Sequence, residues 1–238
     1  MSLDTPDLLA AERQRIETEY RRREREISPE LYAPWQPAEV FISSGKKRVA
    51  TKMLHDAGVF PKGGEQCLEV GFGRLGWLGD LATWGVSESN MHGIDLNPIR
   101  VDVAHQTLPM ADLRIGDAAA LPWDEETFQL VIASNVFTSI LDTNVRTLVA
   151  EEIVRVLAPG GALLWYDSAF NNPRNSQLRR VSRTELRGLF PELRGRMKWV
   201  TLAPPLVRFI VPWSWTLATI LEAIPLLRTH LLAVLIKY

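Results

Sequence analysis

The chain has one cysteine, Cys67, in 238 residues. A single thiol excludes an internal disulfide framework and any cysteine-rich metal site. The 4 histidines are widely separated and offer no ligand pair at helical spacing, so no metal centre is expected. Excess charge is missing as well: 27 Lys and Arg stand against 28 Asp and Glu, a formal charge of -1. That balance gives nucleic acid no electrostatic pull, and no nucleic-acid partner is expected. Long apolar runs are lacking too. The richest stretch, Trp199 to Tyr238, is broken by Arg208, Pro212, Glu222 and Pro225, short of the roughly 20 residues a membrane-spanning helix needs. The N-terminus lacks the basic start and apolar run of a secretory signal, so a cytoplasmic location is expected.

With 46% hydrophobic and 23% charged residues, what remains is the composition of a globular chain with one large core. Two parts are expected, an N-terminal helix and lid segment over residues 1–43 and a main domain over 44–238. Residues 7–27 read as a charged helix lying on the body, with Leu9, Ile16, Tyr20 and Ile27 near helical spacing. The proline-rich SPELYAPWQPAEVF follows, in which Tyr32 and Trp35 are candidates to close over a pocket. A helix is expected over 44–57, ending at Gly58.

From Gln66 onward, short apolar runs alternate with helical patterns, the signature of βαβ units around a mostly parallel sheet. Strands are expected near 66–71, 91–95, 112–116, 128–134 and 161–167. Two more are expected in RMKWVTL and HLLAVLIKY, with an apolar, Trp-containing helical insertion over 205–225 between them. The fold class is therefore α/β: a doubly wound, seven-stranded, Rossmann-like sheet with an antiparallel last strand.

The strongest local signal is CLEVGFGRLG. Gly71, Gly73 and Gly76 follow a strand and precede a helix, which permits a sharp turn and close approach of a ligand to backbone amides. Alone, this pattern fits a dinucleotide dehydrogenase as well as a nucleoside-binding transferase. Three acids add context: Glu69 ends the first strand, Asp95 the second, where such folds bind ribose hydroxyls, and Asp117 the third. A pyrophosphate would be repelled by these acids, whereas a sulfonium ligand carrying an ammonium group would be attracted.

Through EVGFGRLG, GIDLNP, GDAAALPWDEETFQLVIASNVFTSI and EEIVRVLAPGGALLWYDS, the chain resembles the class I S-adenosylmethionine-dependent methyltransferases, in particular small bacterial type-11-like members. The resemblance spans about Gly64 to Asp167. It implies S-adenosylmethionine as cofactor, with Glu69, Gly71, Gly73 and Gly76 around its methionine part and Asp95 on its ribose. Leu96 would lie beside the adenine, Asp117 and Ala118 would meet its amino edge, and Asn135 and Val136 would face the sulfonium side. A histidine common in relatives after Asn135 is replaced by Thr138 and Ser139, which removes a histidine base from that end.

The fifth strand runs into WYDSAFNNPRNSQLRR, and its Asn171, Asn172 and Arg174, with Trp35, suit a hydroxylated or anionic acceptor. For an oxygen acceptor, Asp167 is the first choice of base, with Tyr166 or Tyr32 as a relay. A softer resemblance, to methyltransferases of surface-glycan gene clusters, implies a sugar-containing or other small acceptor, including a lipid-linked one. The 205–225 insertion suits core, a homodimer surface or peripheral contact at the inner face of the membrane. The alternatives are an NAD-dependent oxidoreductase and a non-catalytic scaffold of the same fold.

Overall fold

The computed structural model describes residues 5–172 and 175–238. In chain order it contains α1 (Thr5–Glu26), a 3-10 turn (Pro29–Tyr32), α2 (Pro37–Asp56), β1 (Cys67–Val70), α3 (Leu78–Thr83), β2 (Met91–Asp95), α4 (Pro98–Thr107), β3 (Asp112–Ile115) and β4 (Phe128–Ser134). Then come α5 (Thr143–Val156), β5 (Leu157–Ser168), α6 (Arg183–Leu189), β6 (Leu193–Leu202), α7 (Pro204–Ile210), α8 (Trp215–Glu222) and β7 (Arg228–Lys237).

The seven strands form one sheet in the order β3-β2-β1-β4-β5-β7-β6. The β1–β2, β1–β4, β2–β3 and β4–β5 pairs are parallel, and β7 runs antiparallel between β5 and β6. The chain leaves β1 to one side and β4 to the other, so the carboxyl ends of β1 and β4 border a crevice where the winding reverses, the usual ligand position in open α/β sheets. Both faces of the sheet are covered. Leu68, Val70, Val131 and Leu163 belong to the cluster shared with α5 and α6, while Cys67, Leu130, Ile132 and Leu164 belong to the cluster shared with α2, α3 and α4.

Local chemistry sets the helix starts. Asn97 caps α4 by accepting from the Ile99 amide at 3.0 Å, with Pro98 at the first helical position, and Asp142 caps α5 through the Asn144 and Val145 amides. Two boundaries differ from the sequence expectation. α2 starts at Pro37 rather than Ser44, because proline is tolerated in a first turn and Ala38 and Phe41 give that turn an apolar face to bury. The 205–225 insertion is two short helices, not one: the chain turns at Val211–Trp213 around Pro212, and Ser214 starts α8 afresh by accepting from the Leu217 amide at 3.1 Å.

Candidate cofactor site

A pocket opens at the carboxyl ends of β1, β2, β3 and β4. Gly71, Asp95, Leu96, Asp117, Ala118, Asn135 and Val136 all line it, seven of the residues singled out in the sequence. Gly71 has φ 65° and its absent Cβ would lie 2.9 Å from Val136 Cγ2, so this turn requires glycine. Asn135 also takes positive φ, 58°, with its amide donating to the Tyr166 carbonyl at 2.8 Å. A non-glycine residue held in this conformation is characteristic of ligand sites. Asp95 is 6% exposed; its Oδ2 accepts from the Gly73 amide at 2.8 Å and its Oδ1 from the Asn97 amide at 2.9 Å. These bonds tie the glycine loop to the end of β2 and leave lone pairs towards the pocket. Asp117 accepts from the Ala119 amide at 3.0 Å and lines the same wall.

Glu69 has a different position from its neighbours. It is 1% exposed, lies behind the loop, and accepts from the Trp77 and Leu78 amides at 2.7 and 2.8 Å, which fastens the first turn of α3. The Gly76 Cβ position is 2.1 Å from Glu69 Oε1, so Gly76 makes room for this carboxyl rather than for a ligand. Burial pushes Glu69 up to about 8 and Asp167 up to about 6. A carboxyl with a raised folded pKa contributes stability that is complete below its unfolded pKa and lost as pH rises through the folded one. The melting temperature should therefore fall as pH rises from about 4.5 to about 8, the interval over which Glu69 is ionised in the unfolded chain but not in the folded one, and Glu69→Gln should flatten that slope; an unchanged slope would contradict the assignment.

The sequence reading missed how α1 covers the pocket. Leu9, Glu12, Arg13, Ile16 and Tyr20 form its roof. Glu12 accepts from the Leu141 amide, Arg15 donates to the Ser139 carbonyl, Glu24 meets Arg100 at 3.7 Å, and Arg100 lies over the Tyr20 ring. The signal was the Leu9, Ile16, Tyr20 spacing, which marks the inward face. Because α1 fills that mouth, Tyr32 and Trp35 do not close it. Tyr32 lies under Arg208 and lines a neighbouring cleft with Gly73 and Arg74, and Trp35 is 73% exposed.

Asp167 needs correction as a base. It is wholly buried and accepts from Thr138 Oγ1, the Thr138 amide at 3.2 Å and the Ser168 amide at 3.2 Å, so it anchors the turn after β4 and is not part of the pocket wall. Alternation along β5 sends Tyr166 to the opposite face. There its hydroxyl is 3.0 Å from Thr201 Oγ1 and its ring stacks on His230 at 5.0 Å. Burial, with Lys46 adding to it, pushes His230 down to about 4. Asn171 accepts from the Arg180 amide at 2.8 Å, and Asn172 accepts from the Asn175 amide through its carbonyl at 3.0 Å. Arg174 lies outside the described residues. The loop nevertheless meets the roof, through Asn175 to Glu19 at 3.3 Å and Arg15 to Gln177 at 3.1 Å. Among the described residues, no group of three metal-ligating side chains comes together.

Beyond the site, the 205–225 insertion and the end of the lid present an apolar face. Phe209, Trp213 and Leu226 are 74%, 86% and 92% exposed, with Trp215, Leu217, Ile220 and Ile224 also exposed. The two charged residues between Pro205 and Leu226 have protein partners: Arg208 meets Glu39 at 3.4 Å, and Glu222 meets Arg48 at 3.7 Å. The Thr219 hydroxyl donates to its own helix at 2.9 Å. Among the described residues, no helix is long and apolar enough to cross a membrane.

The parallel sheet, the glycine turn and the acids at successive strand ends define a nucleoside-binding α/β fold of the methyltransferase type. A family model described as a methyltransferase domain matches residues 67–161. Solved structures share the class I fold. Geranyl diphosphate C-methyltransferase from Streptomyces coelicolor A3(2), solved with Mg2+, geranyl diphosphate and S-adenosyl-L-homocysteine, superposes with TM-score 0.59 at 14% identity, over 81% of this chain and 77% of that one. A SAM-dependent methyltransferase from Archaeoglobus fulgidus gives TM-score 0.57 at 13% identity, over 82% and 96%. Among curated proteins, the phthiotriol/phenolphthiotriol dimycocerosates methyltransferase of Mycobacterium tuberculosis is 38% identical over 112 residues, 46% of this chain and 40% of that protein. Its Mycobacterium leprae counterpart is 34% identical over 134 residues, 52% and 48% respectively. The matches thus span less than half the length of these relatives.

Proposed function

We propose that the protein is an S-adenosylmethionine-dependent methyltransferase that methylates an oxygen of a lipid-linked or sugar-containing acceptor at a bilayer surface. The observation that carries the reading is the convergence of Gly71, Asp95, Asp117 and Asn135 on one pocket at the carboxyl ends of four strands. The cofactor fits this donor set: the Asp95 and Asp117 carboxylates would accept from ribose hydroxyls and the adenine amino group, and Leu96 and Val136 would offer apolar contact. Bound there, it supplies an electrophilic methyl group on a sulfonium. The chain's part is to hold donor and acceptor in line and keep water out, and the α1 roof does the second. With an oxygen acceptor, that methyl group would pass to the oxygen as the carbon–sulfur bond leaves its electrons on sulfur, and the hydroxyl proton would pass to solvent.

The relatives named for dimycocerosate lipids support a lipid acceptor, and so does the exposed apolar face, whose protruding Trp, Phe and Leu suit the interface of a bilayer. A second copy of the chain is the competing occupant. The test uses vesicles of bacterial lipid extract with methyl-labelled S-adenosylmethionine. The protein should sediment with the vesicles and move label into the chloroform-soluble fraction. Replacing Phe209, Trp213 and Leu226 together by serine should weaken sedimentation by roughly 100-fold or more, at about 1.5–3 kcal/mol for each buried side chain. Protein left in the supernatant as a dimer would contradict the membrane contact, and label absent from lipid would contradict the acceptor class.

A further inference from the structure

A cleft of about 700 Å³ lies beside the cofactor pocket, between the end of α1, the glycine loop and α4. That is the size of a small-molecule site. Its charged lining is three cations and one acid: Arg23 on α1, Arg74 in the glycine loop and Arg100 on α4, against Glu24. Arg100 is engaged, 3.7 Å from Glu24 and with its guanidinium 4.5 Å from the centroid of the Tyr20 ring. The side chains of Arg23 and Arg74 make no hydrogen bond or ion pair with a described residue. Glu19, an acid that feels the Arg23 charge, is already held by Arg22 at 2.8 Å. Between the cations the walls are apolar: Ile27, Leu75 and, one turn apart on α4, Ile99 and Val103, both of which are exposed. Like charges brought from three elements to one apolar recess repel one another, and an anion bound among them turns that repulsion into attraction.

The cleft adjoins two surfaces of the protein. Tyr20 is a wall of both the cleft and the cofactor pocket, and the amide of Gly73, in the cleft, donates to Asp95, in the pocket, at 2.8 Å. Tyr32 also lines the cleft, and the Arg208 guanidinium lies 5.2 Å from its ring centroid. Arg208 is followed in the chain by Phe209, part of the exposed apolar face. One recess thus touches the cofactor pocket through Tyr20 and the apolar insertion through Tyr32.

Resting on the lipid-acceptor reading, we propose that this cleft binds the phosphate-bearing head of the acceptor, with Arg23 and Arg74 on the phosphate oxygens and the apolar walls against the first methylenes of its chain. Guanidinium forks match pairs of phosphate oxygens, and two of them from different elements neutralise a dianion. The acceptor class narrows from lipids at large to lipids that carry a phosphate. A neutral lipid would fill the apolar walls and leave both arginines without a counter-ion.

The test is calorimetric titration of the whole protein, with and without S-adenosylhomocysteine, using decyl phosphate, decanol and inorganic phosphate as probes. Decyl phosphate should bind roughly 10-fold or more tightly than either of the others, since it alone meets both the arginines and the apolar walls. Arg23→Gln with Arg74→Gln should weaken decyl phosphate binding by roughly 10- to 100-fold. The S-adenosylhomocysteine Kd and the melting temperature should stay at their wild-type values, because neither side chain has a hydrogen-bond partner to lose. Arg23→Lys with Arg74→Lys should keep part of the affinity, as a point charge without the fork. Decanol bound as tightly as decyl phosphate, or no loss in the glutamine variant, would overturn the proposal. Inorganic phosphate bound as tightly as decyl phosphate would mark a free-anion site and overturn the lipid assignment. Binding of S-adenosylhomocysteine without decyl phosphate would overturn the cleft and leave the cofactor reading intact. Binding of decyl phosphate without S-adenosylhomocysteine would overturn the methyltransferase reading, and with it the acceptor role of the cleft.

Discussion

Asp95→Ala should abolish measurable cofactor binding while the protein stays folded. One carboxylate holds the Gly73 and Asn97 amides at 2.8 and 2.9 Å and faces the pocket where the ribose would lie. Alanine removes two charge-assisted bonds to hydroxyls, at about 1.5–3 kcal/mol each, or roughly 100- to 10,000-fold in Kd. It also frees the Gly73 amide, so the loop loses its tether to β2. Asp95→Asn, which keeps one acceptor oxygen, should lose less. Calorimetry gives the affinity and circular dichroism the fold; a folded Asp95→Ala protein with wild-type affinity would remove Asp95 from the site.

The largest effect on stability is expected at Arg146, away from the pocket. Its guanidinium is completely buried and donates to the Ile140, Arg179 and Arg180 carbonyls at 2.7, 2.8 and 3.3 Å and to Glu185 at 2.5 Å. These bonds join the start of α5 to the loop before α6, the same loop that meets α1 through Asn175 and Gln177. Arg146→Met would leave the Ile140, Arg179 and Arg180 carbonyls without this donor, while Glu185 keeps Arg179 at 2.8 Å. At about 1–3 kcal/mol for each buried acceptor left unsatisfied, the loss should be about 3–5 kcal/mol. For a chain of this size that is roughly 6–20 °C of melting temperature, at 2–4 °C per kcal/mol. Lysine offers one nitrogen for four acceptors and should not rescue it. A loss below about 1 kcal/mol on urea unfolding would show that the network is not structural.

The sheet class and the strand positions were legible because their signals are local. A glycine turn after an apolar strand, and the acids Asp95 and Asp117 after the second and third strands, read the same in the sequence as in the fold. Side chains whose partners are far away in sequence were not legible. Glu69 is three residues from Phe72 and close to Gly71 and Gly73 in the chain, yet its partners are the Trp77 and Leu78 amides, so a strand-end acid became a helix fastener. Asp167 ends β5 beside Tyr166, but strand alternation turns it to the Thr138 side. Lys46 and His230 are ordinary residues in a helix and a strand. Only the folding of α2 and β7 onto the end of β5 brings both to Tyr166. The α1 roof lies between these cases: its apolar spacing was visible, but the surface it covers was not.

The central claim, that this pocket is built for a sulfonium nucleoside, is tested most directly by calorimetric titration of the whole protein with S-adenosylmethionine, S-adenosylhomocysteine and NAD. Binding of both adenosyl ligands and not of NAD is the predicted result, because the acids Glu12, Asp95 and Asp117 line the pocket and would repel a pyrophosphate. Binding of NAD alone would contradict the account in favour of an oxidoreductase, and silence with all three would contradict it in favour of a scaffold that kept the fold.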